Sequence, residues 1–149
     1  MAFEAKCSAV TTALLLDSFA SVTGSSRAIA YRRTAEAFRA GDFDLVEVLI
    51  APDVVWHVPG EHDMAGTIAG RYALLSWLAR LVKIGFWLVE HDVFASDQHV
   101  CAISTMGARR DSVDVQTRVV SIFRYRDSRQ VERWMYPDDT AAWNAIFPA

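Results

Sequence analysis

The apolar positions of the chain keep a spacing of three or four residues up to about residue 84 and then switch to strict alternation. The first regime predicts helices. From Arg27 onward Ile29, Ala30, Tyr31, Thr34, Ala37 and Phe38 recur at helical spacing. Gly41 ends that helix, Asp42 caps a second over residues 43–50, and Pro52 stops it. Residues 54–58 read as a strand closed by Pro59-Gly60, and a loop of turn residues runs on to Gly70. The strongest helical pattern spans 71–84. Leu74, Trp77, Leu78, Leu81 and Val82 form its apolar stripe, with Ser76, Arg80 and Lys83 on the polar side.

After Gly85 the period falls to two through residues 86–96, 98–109, 113–126 and 130–136. Turn residues at 96–97, 110–112 and 127–129 separate them, so these predict consecutive hairpins. Residues 113–125 alternate most cleanly: Thr117, Val119, Ser121, Phe123 and Tyr125 share one face, and Arg118, Val120, Ile122 and Arg124 the other. Asp138 or Asp139 caps a last helix carrying Trp143, Ile146 and Phe147. Helices followed by a long meander predict an α+β domain, in which a strongly curved antiparallel sheet packs on N-terminal helices as a cone-shaped roll. The mouth of such a cone is an internal apolar pocket. A Gly/Ser-rich break at 21–26 divides a leader or extra helix, 1–26, from a domain over 27–149.

Composition narrows the partners. With 149 residues and 52% hydrophobic ones, the chain is long enough for one self-sufficient core. Five Trp, four Tyr and eight Phe exceed what a small core needs and suggest a cavity wall. A net charge of −3, with no basic stripe, argues against nucleic-acid binding. The leader's apolar stretch, broken by Asp17 and preceded by both Glu4 and Lys6, is too short and too polar for a membrane span and lacks the clearly positive start of an export signal. Two cysteines without metal-ligand spacing fit a reducing, cytoplasmic setting, with neither metal nor cofactor expected.

Several segments resemble the nuclear transport factor 2-like superfamily, in its SnoaL-like branch related to ketosteroid isomerases and limonene epoxide hydrolases. They are Ala40-Gly41-Asp42-Phe43-Asp44, the run from Ala51 through Trp56-His57-Val58 to Gly60, Ala65-Gly66 with Gly70, Phe123-Arg124-Tyr125-Arg126, and Val131-Glu132-Arg133-Trp134. The resemblance implies the cone fold, a small hydrophobic ligand and a polyketide cyclase or isomerase type of chemistry. It also implies catalytic positions that this chain does not fill. An isomerase of this kind would have a tyrosine at Thr34, a base at Val58 and an aspartic acid at Ser121. An epoxide hydrolase would have its charged groups at Ala102, Ser104 and Tyr136, and a cyclase its acid/base aspartate at Tyr136 and a histidine at Ser121.

The alternation supplies an independent list. Trp56, Val58, Ala102, Ser104, Met106, Thr117, Ser121 and Phe123 are expected to face the cavity, joined by Tyr31, Thr34 and Phe38 from the first helix. On the last strand Glu132, Trp134 and Tyr136 are expected inward, with Tyr136 and Glu132 as the candidate proton donors. His57, out of phase with Trp56 and Val58, is expected on the convex side. Arg109, Arg110 and Asp111 read as the solvated charges of a turn. Val120, Ile122 and Met135 are expected on the outer face, as the apolar centre of a homodimer interface. Three functions remain open: a cyclase- or isomerase-type enzyme working by shape and hydroxyl assistance, a non-catalytic binder of a small hydrophobic molecule, and a protein-interaction module.

Overall fold

The computed structural model of the chain describes residues 25–148. The leader expected over 1–26 lies almost wholly outside them. Helix α1, Ser26–Ala40, begins at Ser25, whose hydroxyl accepts from the Ala28 amide. It ends at Gly41, whose φ of 69° lets its amide turn back to the carbonyls of Ala37 and Phe38. Asp42 accepts from the Leu45 amide at 3.0 Å and starts α2, Phe43–Leu49. Pro52 does not end this helix. The strand β1, Ile50–Val58, has already begun, and Pro52 sits where its register with a neighbour shifts, between Ile50 and Val55. A residue without an amide hydrogen is tolerated at such an irregularity.

A short strand β2, Gly66–Ala69, covers the outer edge of β1. The sequence reads as loop there, because four residues that are mostly exposed leave no alternation to detect. Helix α3, Arg71–Lys83, buries Leu74, Trp77, Leu78 and Leu81, whereas Val82, expected in the apolar stripe, is 62% exposed. Gly85 follows at φ 70°, and any side chain there would strike the Arg109 carbonyl.

Four long strands complete the sheet: β3 Phe86–Ala95, β4 His99–Arg110, β5 Val113–Arg126 and β6 Arg129–Pro137. Their order is β2-β1-β6-β5-β4-β3, a curved sheet that does not close, and only the β1–β6 pair is parallel. Helix α4, Thr140–Ile146, starts on Asp139, which accepts from the Ala142 amide. Arg110 is no free turn charge: its guanidinium donates to the carbonyls of Ile84 and Ile146 at 3.0 and 2.8 Å, tying the ends of α3 and α4 together. The larger core cluster joins Trp77, Leu74 and Leu78 of α3 to Trp143, Ile146 and Phe147 at the C-terminal end. A smaller one joins Ala30 and Tyr31 of α1 to Val100, Ala102, Phe123 and Tyr125.

Strand β5 has the expected faces. Strand β6 does not. Its register with β5 shifts so that Tyr125 pairs with Gln130 but Arg124 with Glu132, leaving Val131 as the extra residue of a bulge. Beyond the bulge, inward Phe123 and Ser121 lie opposite Arg133 and Met135. Glu132, Trp134 and Tyr136 therefore face outward, because one inserted residue moves the whole strand to the other side of the pleat. Met135, expected outside, is buried, and Tyr136 is 54% exposed.

Candidate functional site

Inside the curve of the sheet lies a cavity of about 490 Å³. It reaches the surface between the ends of α1 and α3, where Arg39, Gly41 and Val82 are exposed. Rings dominate the wall: Phe38 from α1, Phe43 from α2, Trp56 from β1, Trp77 from α3, Phe86 from β3 and Phe123 from β5. Val46, Leu78, Leu81, Met106 and Met135 fill the spaces between them. Each sits there because its element turns one apolar face to the sheet's concave side.

Polar groups are few and concentrated toward the α1 and β6 side. The Trp56 indole N–H donates to Gln130 Oε1 at 2.6 Å. The Gln130 amide nitrogen lies 3.4 Å from the Tyr125 hydroxyl. Burial pushes the Tyr125 phenol up to about 12, so it is a neutral hydroxyl at physiological pH. The Tyr31 hydroxyl donates to Glu90 Oε2 at 2.5 Å. Burial, and then that carboxylate, raise the Tyr31 phenol far above its ordinary value. Thr34 returns its hydroxyl to the Ala30 carbonyl, so it is occupied by its own helix.

Arg133 stands apart. Its guanidinium lies 4.5 Å from the Trp56 ring centre and 4.8 Å from that of Phe123, and Nη2 donates to Ser121 Oγ at 3.0 Å. The Nε–H is buried with no acceptor. Burial lowers the side chain to about 10, which leaves it charged at neutral pH.

Six of the expected ligand-facing residues line the cavity: Tyr31, Thr34, Phe38, Trp56, Met106 and Phe123. Val58, Ser104 and Ser121 are buried in the wall without lining it, and Ser121 holds Arg133. Trp134, Glu132 and Tyr136 are on the convex face. There Glu132 forms an ion pair with Arg124 at 2.7 Å and meets His57 Nε2 at 2.9 Å, while the His57 ring stacks on Trp134. The two candidate proton donors are thus separated from the cavity by the sheet itself. The sequence reading missed Arg133, which it set on the outward phase of β6, Gln130, which is in phase with Glu132 but was not named, and Glu90, whose strand register it left open. A bulge leaves no mark in a hydrophobic pattern, so no signal was available for Arg133, whereas plain alternation already put Gln130 on the inward face.

Among the described residues no three His, Cys, Asp or Glu side chains converge as a metal site. No described helix is long and apolar enough to cross a membrane.

The sequence profile of the SnoaL-like domain matches residues 31–133. No curated protein matches the chain. Among solved structures, Bal32a from a soil-derived mobile gene cassette superposes with a TM-score of 0.78 at 25% identity, over 83% of this chain and 97% of that one. TerC, co-crystallised with polyporic acid, gives 0.71 at 20% identity over 82% and 98%. Rv0760c from Mycobacterium tuberculosis, in complex with estradiol-17β-hemisuccinate, gives 0.66 at 18% over 76% and 94%. The profile match spans most of the chain, and the fold is shared with Bal32a over 83% of it, so the chain belongs to the SnoaL-like domain family.

Proposed function

We propose that this protein is a small-molecule enzyme of the cyclase or isomerase type, acting in the cytoplasm on a hydrophobic polyketide- or terpenoid-like substrate. The observation that carries the reading is the ring-lined cavity of about 490 Å³ with its few donors gathered on one side. Such a wall holds a flexible apolar molecule in one shape, which turns an improbable encounter of its ends into a local one. The Tyr125 hydroxyl and the Arg133 guanidinium are placed to polarise a carbonyl as charge develops on it. Cys101, half-buried and without a disulfide partner among the described residues, suits a reducing compartment. Two structures of the same fold hold ringed acids, polyporic acid and estradiol-17β-hemisuccinate, which agrees with a pocket of this kind.

One observation favours a second reading, capture of the molecule without turnover. Among the described residues no carboxylate and no imidazole lines the cavity, so none of them faces it as a strong base. Native mass spectrometry of the purified protein, followed by incubation with any co-purified molecule, separates the two. A product of rearranged connectivity supports the enzyme, and recovery of the unchanged molecule at one equivalent supports the binder. Failure of every ring-bearing apolar molecule to bind saturably would exclude both.

A further inference from the structure

Resting on the reading of the cavity as a small-molecule site, we infer that its occupant is a ring-bearing acid seated with an anionic oxygen on Arg133. A guanidinium has five N–H donors and no acceptor. Among the described residues one bond to a neutral hydroxyl, from Nη2 to Ser121, is the hydrogen bond the side chain makes. Its Nε–H is buried and has no partner among the described residues. Trp56 and Phe123 stand against the group as aromatic rings, which attract the charge without accepting an N–H in its plane. Nη1, which makes no bond among the described residues and is not buried, is left for a ligand.

The acids nearby do not answer this charge. Glu90 is engaged by the Tyr31 hydroxyl. Glu132, the neighbour of Arg133 in sequence, is on the opposite side of the sheet with Arg124 and His57. Among the described residues Arg133 makes no ion pair. A half-buried cation among apolar groups without a counter-ion is costly. An anionic oxygen in the cavity supplies an acceptor for Nη1 and the missing charge. Charge-assisted bonds of this kind are the strong ones. The remaining wall is flat rings and aliphatic ends, which fixes the rest of the ligand as apolar and ring-bearing.

Two fluorescent probes isolate the acid. 1-Anilinonaphthalene-8-sulfonate and N-phenyl-1-naphthylamine share their rings and differ by the sulfonate. Titration of the wild-type protein should show one-site binding of both, with the sulfonate at least tenfold tighter. Arg133→Met should abolish or reverse that preference, and Arg133→Lys, which keeps the charge and loses the planar fork, should fall between. Near-UV circular dichroism confirms that each variant is folded. If either fails to fold, the wild-type comparison decides alone. Equal affinity for the two probes, or undiminished sulfonate binding by folded Arg133→Met, would overturn the acid while leaving the cavity as a neutral-ligand site. Binding of neither probe would remove the small-molecule reading as well.

Discussion

Arg133 and Tyr136 share strand β6 and face opposite sides of the sheet, the first lining the cavity and the second more than half exposed on the convex face. Replacing Tyr136 by Phe removes a hydroxyl that cannot reach a molecule inside the cone. Tyr136→Phe should therefore leave the affinity for a cavity ligand within twofold, as surface changes do, under about 0.5 kcal/mol. Calorimetric titration checks this, and a loss beyond tenfold would place the hydroxyl in the site after all. The contrast marks how far the site is legible in the sequence. Strand β5 keeps its pleat from end to end, so Phe123 and Ser121 are placed correctly by counting in twos. Counting fails on β6 because Val131 is inserted, and the usual weighting of aromatic as inside and charged as outside then reinforces the error. An arginine turned into an apolar cavity is the residue that such weighting is least able to find.

Between elements, the C-terminal helix is secured by side-chain bonds to distant backbone rather than by its own length. The Trp143 indole donates to the Pro59 carbonyl at 2.7 Å, and Asn144 Oδ1 accepts from the Glu61 amide at 2.9 Å. Arg110 joins the last turns of α3 and α4 from the opposite side. Truncating it strands two carbonyls at helix ends, where no intrahelical donor is available. Arg110→Ala should lower stability by about 2 kcal/mol, read from the urea midpoint at constant slope. A shift under about 0.5 kcal/mol would return Arg110 to the role of a solvated turn charge.

His62 works in the same junction. Its ring stacks on Phe147 with centres 3.9 Å apart, Nε2 donates to the Pro59 carbonyl, and Nδ1 accepts from the Met64 amide. Burial lowers its pKa below the ordinary value of a histidine, against smaller opposing effects of the Pro59 carbonyl and Asp63. The unfolded chain therefore binds the proton more readily than the folded one. The stability that His62 contributes is fully present above about pH 6.5 and is lost as pH falls through the lowered folded value. The urea midpoint should fall over that window, and His62→Phe should flatten the dependence while keeping the stack. Parallel pH curves for the two proteins would assign the titration to another group. Elements of this kind were readable from sequence as helices and strands, but the ties between them were not, since bonds spanning tens of residues follow from topology rather than spacing.

At the scale of the whole molecule the unanswered surface is the convex face of the sheet. Cross-strand pairing sets Phe94, Cys101, Ile122 and Trp134 in one row across β3 to β6, with Ile103, Val120 and Tyr136 in the next. Phe94 is 45% and Tyr136 54% exposed, so apolar rings lie at both ends of a continuous patch. Arg118 and Arg124 border it on β5, and Arg124 is already paired with Glu132. We propose that a second copy of the chain covers this face about a two-fold axis, which sets apolar centre against apolar centre and brings the charged borders together at the rim. A stable interface of this type buries about 1,200–2,000 Å² in total, an area the four long strands can supply. Sedimentation should report a dimer, and Ile122→Asp should give a monomer that still binds a cavity ligand, because that side chain lies on the far side of the sheet from the site. The rival is the apolar stretch within residues 1–24, folding back over its own sheet. A shortened chain beginning at Ser25 distinguishes them: the dimer persists if the second copy is the cover. A full-length monomer whose shortened form self-associates would give the patch to the leader.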